Sequence, residues 1–188
     1  EFWSQQKING RISSGFQSAA KSLYESAKIN FSAGKWALLA TGTYRNSSAY
    51  RSGGGETIPF SQYEKINYSL SAKYRYNKHT DIKMDLLADD GWNIGYPALT
   101  MDVGYAAAKI ASMGIRYEDA SKKIYGWQAK VYTNHIKHFM DDTHRPNAAI
   151  HMDMPGLSKT SGIYAEAGYR INKKQEIAVK ADAASSFL

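Results

Sequence analysis

Apolar and polar residues alternate with a period of two along residues 62–76. The apolar side chains of this stretch occupy the even positions Ile66, Tyr68, Leu70, Ala72, Tyr74 and Tyr76. Such a period predicts a β-strand with one apolar face. The stretch is longer than the roughly 5–6 residues of an ordinary strand, and it matches the about 9–11 residues with which a tilted strand crosses a bilayer.

The same alternation recurs along the chain. It predicts further strands over 23–31, 35–44, 80–88, 109–118, 123–133, 160–171 and 175–184. With one of the two weaker stretches, 7–17 and 101–108, we count nine strands, and with both we count ten. The sequence therefore predicts an all-β fold.

The connections between these strands alternate between short and long. Short turns are expected at 32–34, 77–79, 119–121 and 172–173, and long connections at about 45–61, 89–106 and 134–159. Transmembrane antiparallel up-and-down β-barrels have this arrangement, with short turns at one end and long loops at the other. Many of the fourteen tyrosines lie near predicted strand ends, as aromatic girdles do. A soluble, lipocalin-like barrel with its apolar face inward is the alternative.

The number of predicted strands indicates an incomplete barrel. Nine strands in an open sheet leave two unpaired edges, which a bilayer does not tolerate. The chain opens at Glu1 without an initiating Met or a signal-like segment and ends at Leu188, where a strand runs out. We therefore expect residues 1–188 to be a portion of one larger barrel domain, present here without a signal peptide.

Composition narrows the classes of function. The chain has no cysteine, and its net charge of +7 comes from lysines and arginines scattered over strands and turns. Nucleic-acid binding would need these cations clustered with aromatic residues, so no nucleic-acid partner is predicted. No nucleophile elbow, phosphate loop or paired-carboxylate motif is present, so we predict no enzymatic activity, no catalytic residue and no permanent cofactor.

Histidine and methionine concentrate between residues 134 and 159. This segment holds His135, His138, His144, His151, Met140, Met152 and Met154. Imidazole binds copper, zinc, iron and nickel, whereas thioether sulfur selects copper(I). A His/Met cluster without cysteine therefore favours copper as the ligand.

Strand parity selects two of these residues. If the 123–133 strand continues without a bulge, His138 and Met140 face the lumen, opposite to Trp127 and Val131. Their side chains would then lie about 7 Å apart along the strand, at a rise of about 3.4 Å per residue. A bulge between 133 and 138 would reverse the assignment. Tyr125 falls on the lipid-facing parity.

At these residues the chain resembles a known family. The run from Val131 to Asp142, followed by Arg145 and Pro146, is similar to the His-x-Met-Asp segment of TonB-dependent copper receptors. The segments at 44–53, 96–102 and 152–160 resemble their neighbouring loops in the same order, so the resemblance spans most of residues 35–182. Asp142 stands where asparagine is common in that family.

The resemblance implies a 22-stranded barrel in the outer membrane of a Gram-negative bacterium, closed by a plug domain that this chain does not contain. It also implies energy coupling through TonB by way of the plug, with outer-membrane lipid and possible envelope proteins as further partners. His138 and Met140 are the implied barrel ligands for transported copper or a small copper complex. The other five residues, His135, His144, His151, Met152 and Met154, are further candidates.

Three other functions remain open at this level. A siderophore or other organic-chelate receptor would use Trp92, Tyr96 and Arg116 in its pocket. A passive porin, or a structural barrel in an envelope assembly, would need no ligand set. An interaction module would use the 134–159 segment to dock a partner protein.

Overall fold

The computed structural model describes residues 7–146 and 151–187, and nine strands form one sheet there. Each strand pairs antiparallel with its neighbour in chain order. The strands are β1 (Lys7–Gln17), β2 (Ser22–Ala33), β3 (Trp36–Ser47), β4 (Tyr63–Asn77), β5 (Thr80–Ile94), β6 (Asp102–Glu118), β7 (Ile124–Asp141), β8 (Asp153–Asn172) and β9 (Gln175–Phe187). The predicted all-β class and antiparallel up-and-down order are confirmed.

The register aligns the alternation of every strand, so the sheet has two distinct faces. On β4, for example, Leu70 pairs with Ala40 of β3 and Leu86 of β5. Directly paired residues point to the same side of a sheet, so these apolar residues share one side. We call this side the apolar face; its members include Ile29, Leu38, Leu70, Leu86, Met113, Val131, Ile163 and Val179.

The opposite side, the polar face, is joined by cross-strand polar contacts. Lys73 and Asp81 form an ion pair at 2.7 Å, and Gln128 donates a hydrogen bond of 3.0 Å to Glu166. Within β5, Lys83 and Asp85 form a further ion pair at 2.9 Å. Polar groups that bond to one another in this way lose little when water is excluded.

The strands reach further into the long connections than the sequence predicted. β5 continues to Ile94, β7 to Asp141, and β8 begins at Asp153. The long loops are therefore 48–62, 95–101 and 142–152, and the predicted loop limits of 89–106 and 134–159 were wrong. Residues 102–108 are the first part of β6 and not a tenth strand. Apolar and small residues alternate less cleanly near these strand ends, which hid the continuation.

From β2 onward, short and long connections lie at opposite ends, as predicted. The connections after β2, β4, β6 and β8 are short, and those after β3, β5 and β7 are long. The connection after β1 is a brief 3₁₀ turn at the long-loop end (Ser18–Ala20). Its carbonyls accept hydrogen bonds from the backbone of Ser48 and Arg51 in the first long loop.

Aromatic residues mark both ends of the apolar face. Near the short turns, the rings of Trp36 and Tyr74 lie 4.7 Å apart between centroids. Near the long loops, Trp92 and Tyr105 lie 6.1 Å apart. Aromatic side chains thus lie toward both ends of the apolar face.

A bulge near the start of β7 corrects one predicted orientation. The β7–β8 register shifts between Ile124 and Gly126, and the Tyr125 ring lies against Gly168 of β8. The Arg170 guanidinium is 5.2 Å from the centre of that ring. Gly168 and Arg170 belong to the polar face, so Tyr125 does not point toward the apolar face as its parity predicted.

No helix among the described residues is both long enough and apolar enough to cross a membrane.

Gly162 of β8 lies against a closely packed ring on the polar face, and this packing can be tested by substitution. A Cβ at this position would lie 2.5 Å from Cζ of Tyr132 and 2.9 Å from the carbonyl oxygen of Ala183. We expect Gly162→Ala to lower the free energy of unfolding by about 1–3 kcal/mol through overpacking, measured by denaturant titration in detergent. Gly42→Ala is the matched control, because nothing lies within 4 Å of its Cβ. An equal effect of both substitutions would contradict the ring placement.

Candidate metal site

His138 and Met140 lie on the polar face near the long-loop end of β7. The β7–β8 register runs without a shift from Gly126 to Asp141. No bulge therefore separates Gln128, a polar-face residue, from His138 and Met140. The orientation that the sequence predicted for these two side chains is confirmed, although the segment is strand and not loop.

Met154 joins them from the neighbouring strand. Met154 pairs directly with Met140, and Gly156 pairs with His138. Directly paired side chains have Cβ atoms about 4.5–5.5 Å apart, and diagonal neighbours are about 7–8 Å apart. His138, Met140 and Met154 therefore form a triangle with one imidazole and two thioethers on one side of the sheet.

Gly156 accounts for the position of the His138 ring. A Cβ at Gly156 would clash with ring atoms of His138. The imidazole thus lies across the β8 backbone in the space that glycine leaves open. This arrangement keeps the ring against the sheet, on the face that Met154 shares.

His135 is directed to the other side of the sheet. It pairs with Lys109 of β6 and Lys159 of β8 on the apolar-face side. The backbone separates it from His138, three residues further along the same strand. The structure therefore does not bring His135 together with His138 and Met140.

His151 and Met152 lie at the base of the third long loop, where they bind Asp142. Nδ1 of His151 donates a hydrogen bond of 3.1 Å to Asp142, and the Met152 N–H donates one of 3.2 Å. Asp142 is buried, with 6% of its surface exposed. Burial works to raise the pKa of Asp142, but the bonds from His151 and Met152 outweigh it and the pKa lies below its usual range.

His144 is exposed in the same loop, apart from the strand triangle. Within residues 7–146 and 151–187, no group of three or more His, Cys, Asp or Glu side chains is arranged to hold a metal ion. A metal site on this part of the chain thus depends on the methionine sulfurs.

Arg145 organises the loops above the site, which the sequence did not reveal. Its guanidinium forms an ion pair with Asp102 and donates to the carbonyl oxygen of Tyr96 at 2.9 Å. It also lies 3.8 Å from the ring centre of Phe60. Arg145 thereby ties all three long loops together. These partners are more than forty residues away in sequence, so no local pattern indicates them.

The residues of the organic-chelate alternative are not brought together. Arg116 lies near the short turns and forms an ion pair with Glu118. Trp92 and Tyr96 are at the long-loop end, and the Trp92 ring packs against Tyr105 on the apolar face. No shared pocket links the three.

These features define a class of fold: a wall of an antiparallel up-and-down β-barrel with one apolar face and one polar face. Among solved structures, the chain is similar to one described as the copper transporter OprC, with a TM-score of 0.86 and 20% sequence identity. The match covers 99% of this chain and 30% of that protein. This likeness establishes the fold, and the chain spans less than a third of the structure that it matches.

No protein-family model and no curated protein matches the sequence.

The contacts of Asp142 predict a pH response of the loop base. A depressed pKa means that the stabilisation is complete above the ordinary value of about 4 and is lost as the pH falls through the folded-state pKa. We expect the Met152 amide chemical shift, followed by NMR, to titrate with a midpoint below the usual range of an aspartate pKa. Asp142→Asn should abolish this titration, whereas Asp141→Asn should preserve it. A midpoint within or above the usual range would contradict the hydrogen-bonded arrangement.

Proposed function

We propose that this chain forms part of an outer-membrane β-barrel that imports copper or a small copper complex, without enzymatic activity. The observation that carries the proposal is the grouping of His138, Met140 and Met154 on one face of two paired strands. The likeness to the fold of a described copper transporter agrees with it.

The contrast between the two faces supports a membrane location. Large apolar side chains in the middle of the apolar face are half exposed: Met113 by 54%, Val131 by 53% and Ile163 by 52%. Soluble proteins rarely expose apolar patches of this extent. The apolar middle of this face has the character of a lipid-facing surface, while the hydrogen-bonded polar face suits an aqueous lumen.

The ligand chemistry favours copper(I). Two thioethers and one imidazole are soft and intermediate donors, and thioether sulfur selects copper(I) over zinc or magnesium. No carboxylate is needed in such a set. Three ligands on an open wall leave room for a further ligand from another part of the protein or from a small chelator.

A transported ion must bind and then leave. Sites that conduct ions bind strongly enough to admit them and weakly enough to release them. Flexible methionines beside a fixed imidazole permit both binding and release, because thioether side chains rearrange readily.

An apolar patch beside the site supports a covering domain. Leu87, Ile110 and Ile136 lie on the polar face near His138 and are exposed. Apolar side chains on an otherwise polar wall are expected to be covered. We propose that a plug domain packs there and that TonB acts through it to release the copper.

The ligand assignment is tested by removing the ligands in the whole receptor. We expect His138→Ala combined with Met140→Ala to lower both bound copper(I) and cellular copper uptake at least tenfold. Adding Met154→Ala should lower both further. Bound copper is measured by elemental mass spectrometry on protein purified from membranes, after incubation with copper(I) under reducing conditions.

The matched control is His135→Ala combined with Met113→Ala. It removes the same two residue types from the opposite face, and copper binding should remain at the parental level. Equal copper uptake by the parent and the His138/Met140 variant would refute the site. Copper-independent uptake of an organic chelate by that variant would favour the chelate receptor instead.

A further inference from the structure

Three lysines surround His135 on the outward side of the sheet. Lys109 and Lys159 pair with His135 from the two neighbouring strands. Lys137 lies two residues further along β7 and points to the same side, as strand alternation requires. We call Lys109, Lys137 and Lys159, with His135 between them, the basic cluster.

The lysines of the basic cluster are not paired with acidic side chains in the described part of the chain. Among the described residues, none of its lysines forms an ion pair, although Asp90, Asp141 and Asp153 lie on the same side. Lys137 lies diagonally across from both Lys109 and Lys159, and like charges at this spacing repel one another. In addition, Nε2 of His135 is buried without a hydrogen-bond partner. Buried polar groups normally have partners, and three closely spaced unpaired cations attract an anion.

The position of the cluster identifies the kind of anion. On β8, Lys159 lies toward the long loops and Tyr169 near the short turn, both on the side of the apolar face. The ten residues from one to the other span about 33 Å along the strand. At the usual tilt of about 40° this is about 25 Å of height, the thickness of the apolar band of a membrane barrel. On this measure the cluster lies at the long-loop border of a lipid-facing band, where headgroups are expected, and Trp92 and Tyr105 lie beyond it, four residues closer to the long loops.

A groove leads from the cluster toward the middle of the apolar face. It is lined by Leu70, Leu86 and Ala111 and ends at Lys109 and His135. Its apolar lining suits an acyl chain, and its basic end suits a phosphate. The groove thus runs from a basic end to an apolar lining, as a phosphorylated lipid runs from its charged headgroup to its acyl chains.

We propose that the basic cluster binds the phosphorylated headgroup of an anionic lipid in the leaflet at the long-loop end. This inference rests on the membrane placement of the proposed function, and it is independent of copper. Lys109 and Lys159 are about 9.5 Å apart, two strand spacings, and Lys137 is about 7 Å along the strand from His135. Flexible lysine side chains from these points converge on one phosphate.

The test uses whole protein purified in detergent and titrated with bisphosphorylated lipid A, with bound lipid counted by native mass spectrometry. At about fivefold in affinity for each lysine, the triple variant K109Q/K137Q/K159Q should bind lipid A on the order of 100-fold more weakly. The control K122Q/K173Q/K174Q removes the same charge from the short turns and should bind as the parent does. Heat-dependent gel mobility verifies that each barrel is folded.

Two further titrations separate the possible outcomes. Parental affinity in the triple variant would overturn the inference, as would equal affinity for lipid A and zwitterionic phosphatidylcholine. Binding of inorganic phosphate as tight as that of lipid A would show an ion site and refute the lipid assignment. Failure to retain any lipid would instead refute the membrane placement in the proposed function.

Discussion

The separation of apolar from polar side chains depends on an almost unbroken antiparallel register. A shift of one residue between two strands would exchange the faces of every residue beyond it. The recorded shifts lie close to strand ends, as at Tyr125 and Gly104. Between them, β3 to β8 keep one face apolar across the sheet. Both the proposed lipid surface and the proposed copper site follow from this register, because it decides which side chains meet.

At the proposed metal site, the register determines two cross-strand residue pairs. It sets Met154 opposite Met140 and Gly156 opposite His138, so that one strand supplies a thioether and the space for an imidazole. Above them, Arg145 and Asp102 join loops that are distant in sequence. The rigid wall thus positions the proposed ligands, while the loop contacts surround them.

Sequence periodicity predicted most of the fold, since a period of two is visible wherever one face is uniformly apolar. It failed at the long-loop ends, where Lys109, His135 and Lys137 replace apolar residues and the strand no longer resembles a lipid-facing one. Parity predicted the direction of His138 and Met140, because no bulge intervenes. It could not single out Met154 as their neighbour or find the Arg145 contacts, since cross-strand register and loop packing depend on residues far apart in the chain.

The central claim is that methionine sulfur from this wall binds the transported metal. X-ray absorption at the copper edge, on the whole protein loaded with one equivalent of copper(I), tests it most directly. The account predicts sulfur together with nitrogen in the coordination shell, and loss of sulfur scattering when Met140 and Met154 are both replaced by leucine. A shell of nitrogen and oxygen alone, unchanged by those substitutions, would contradict it.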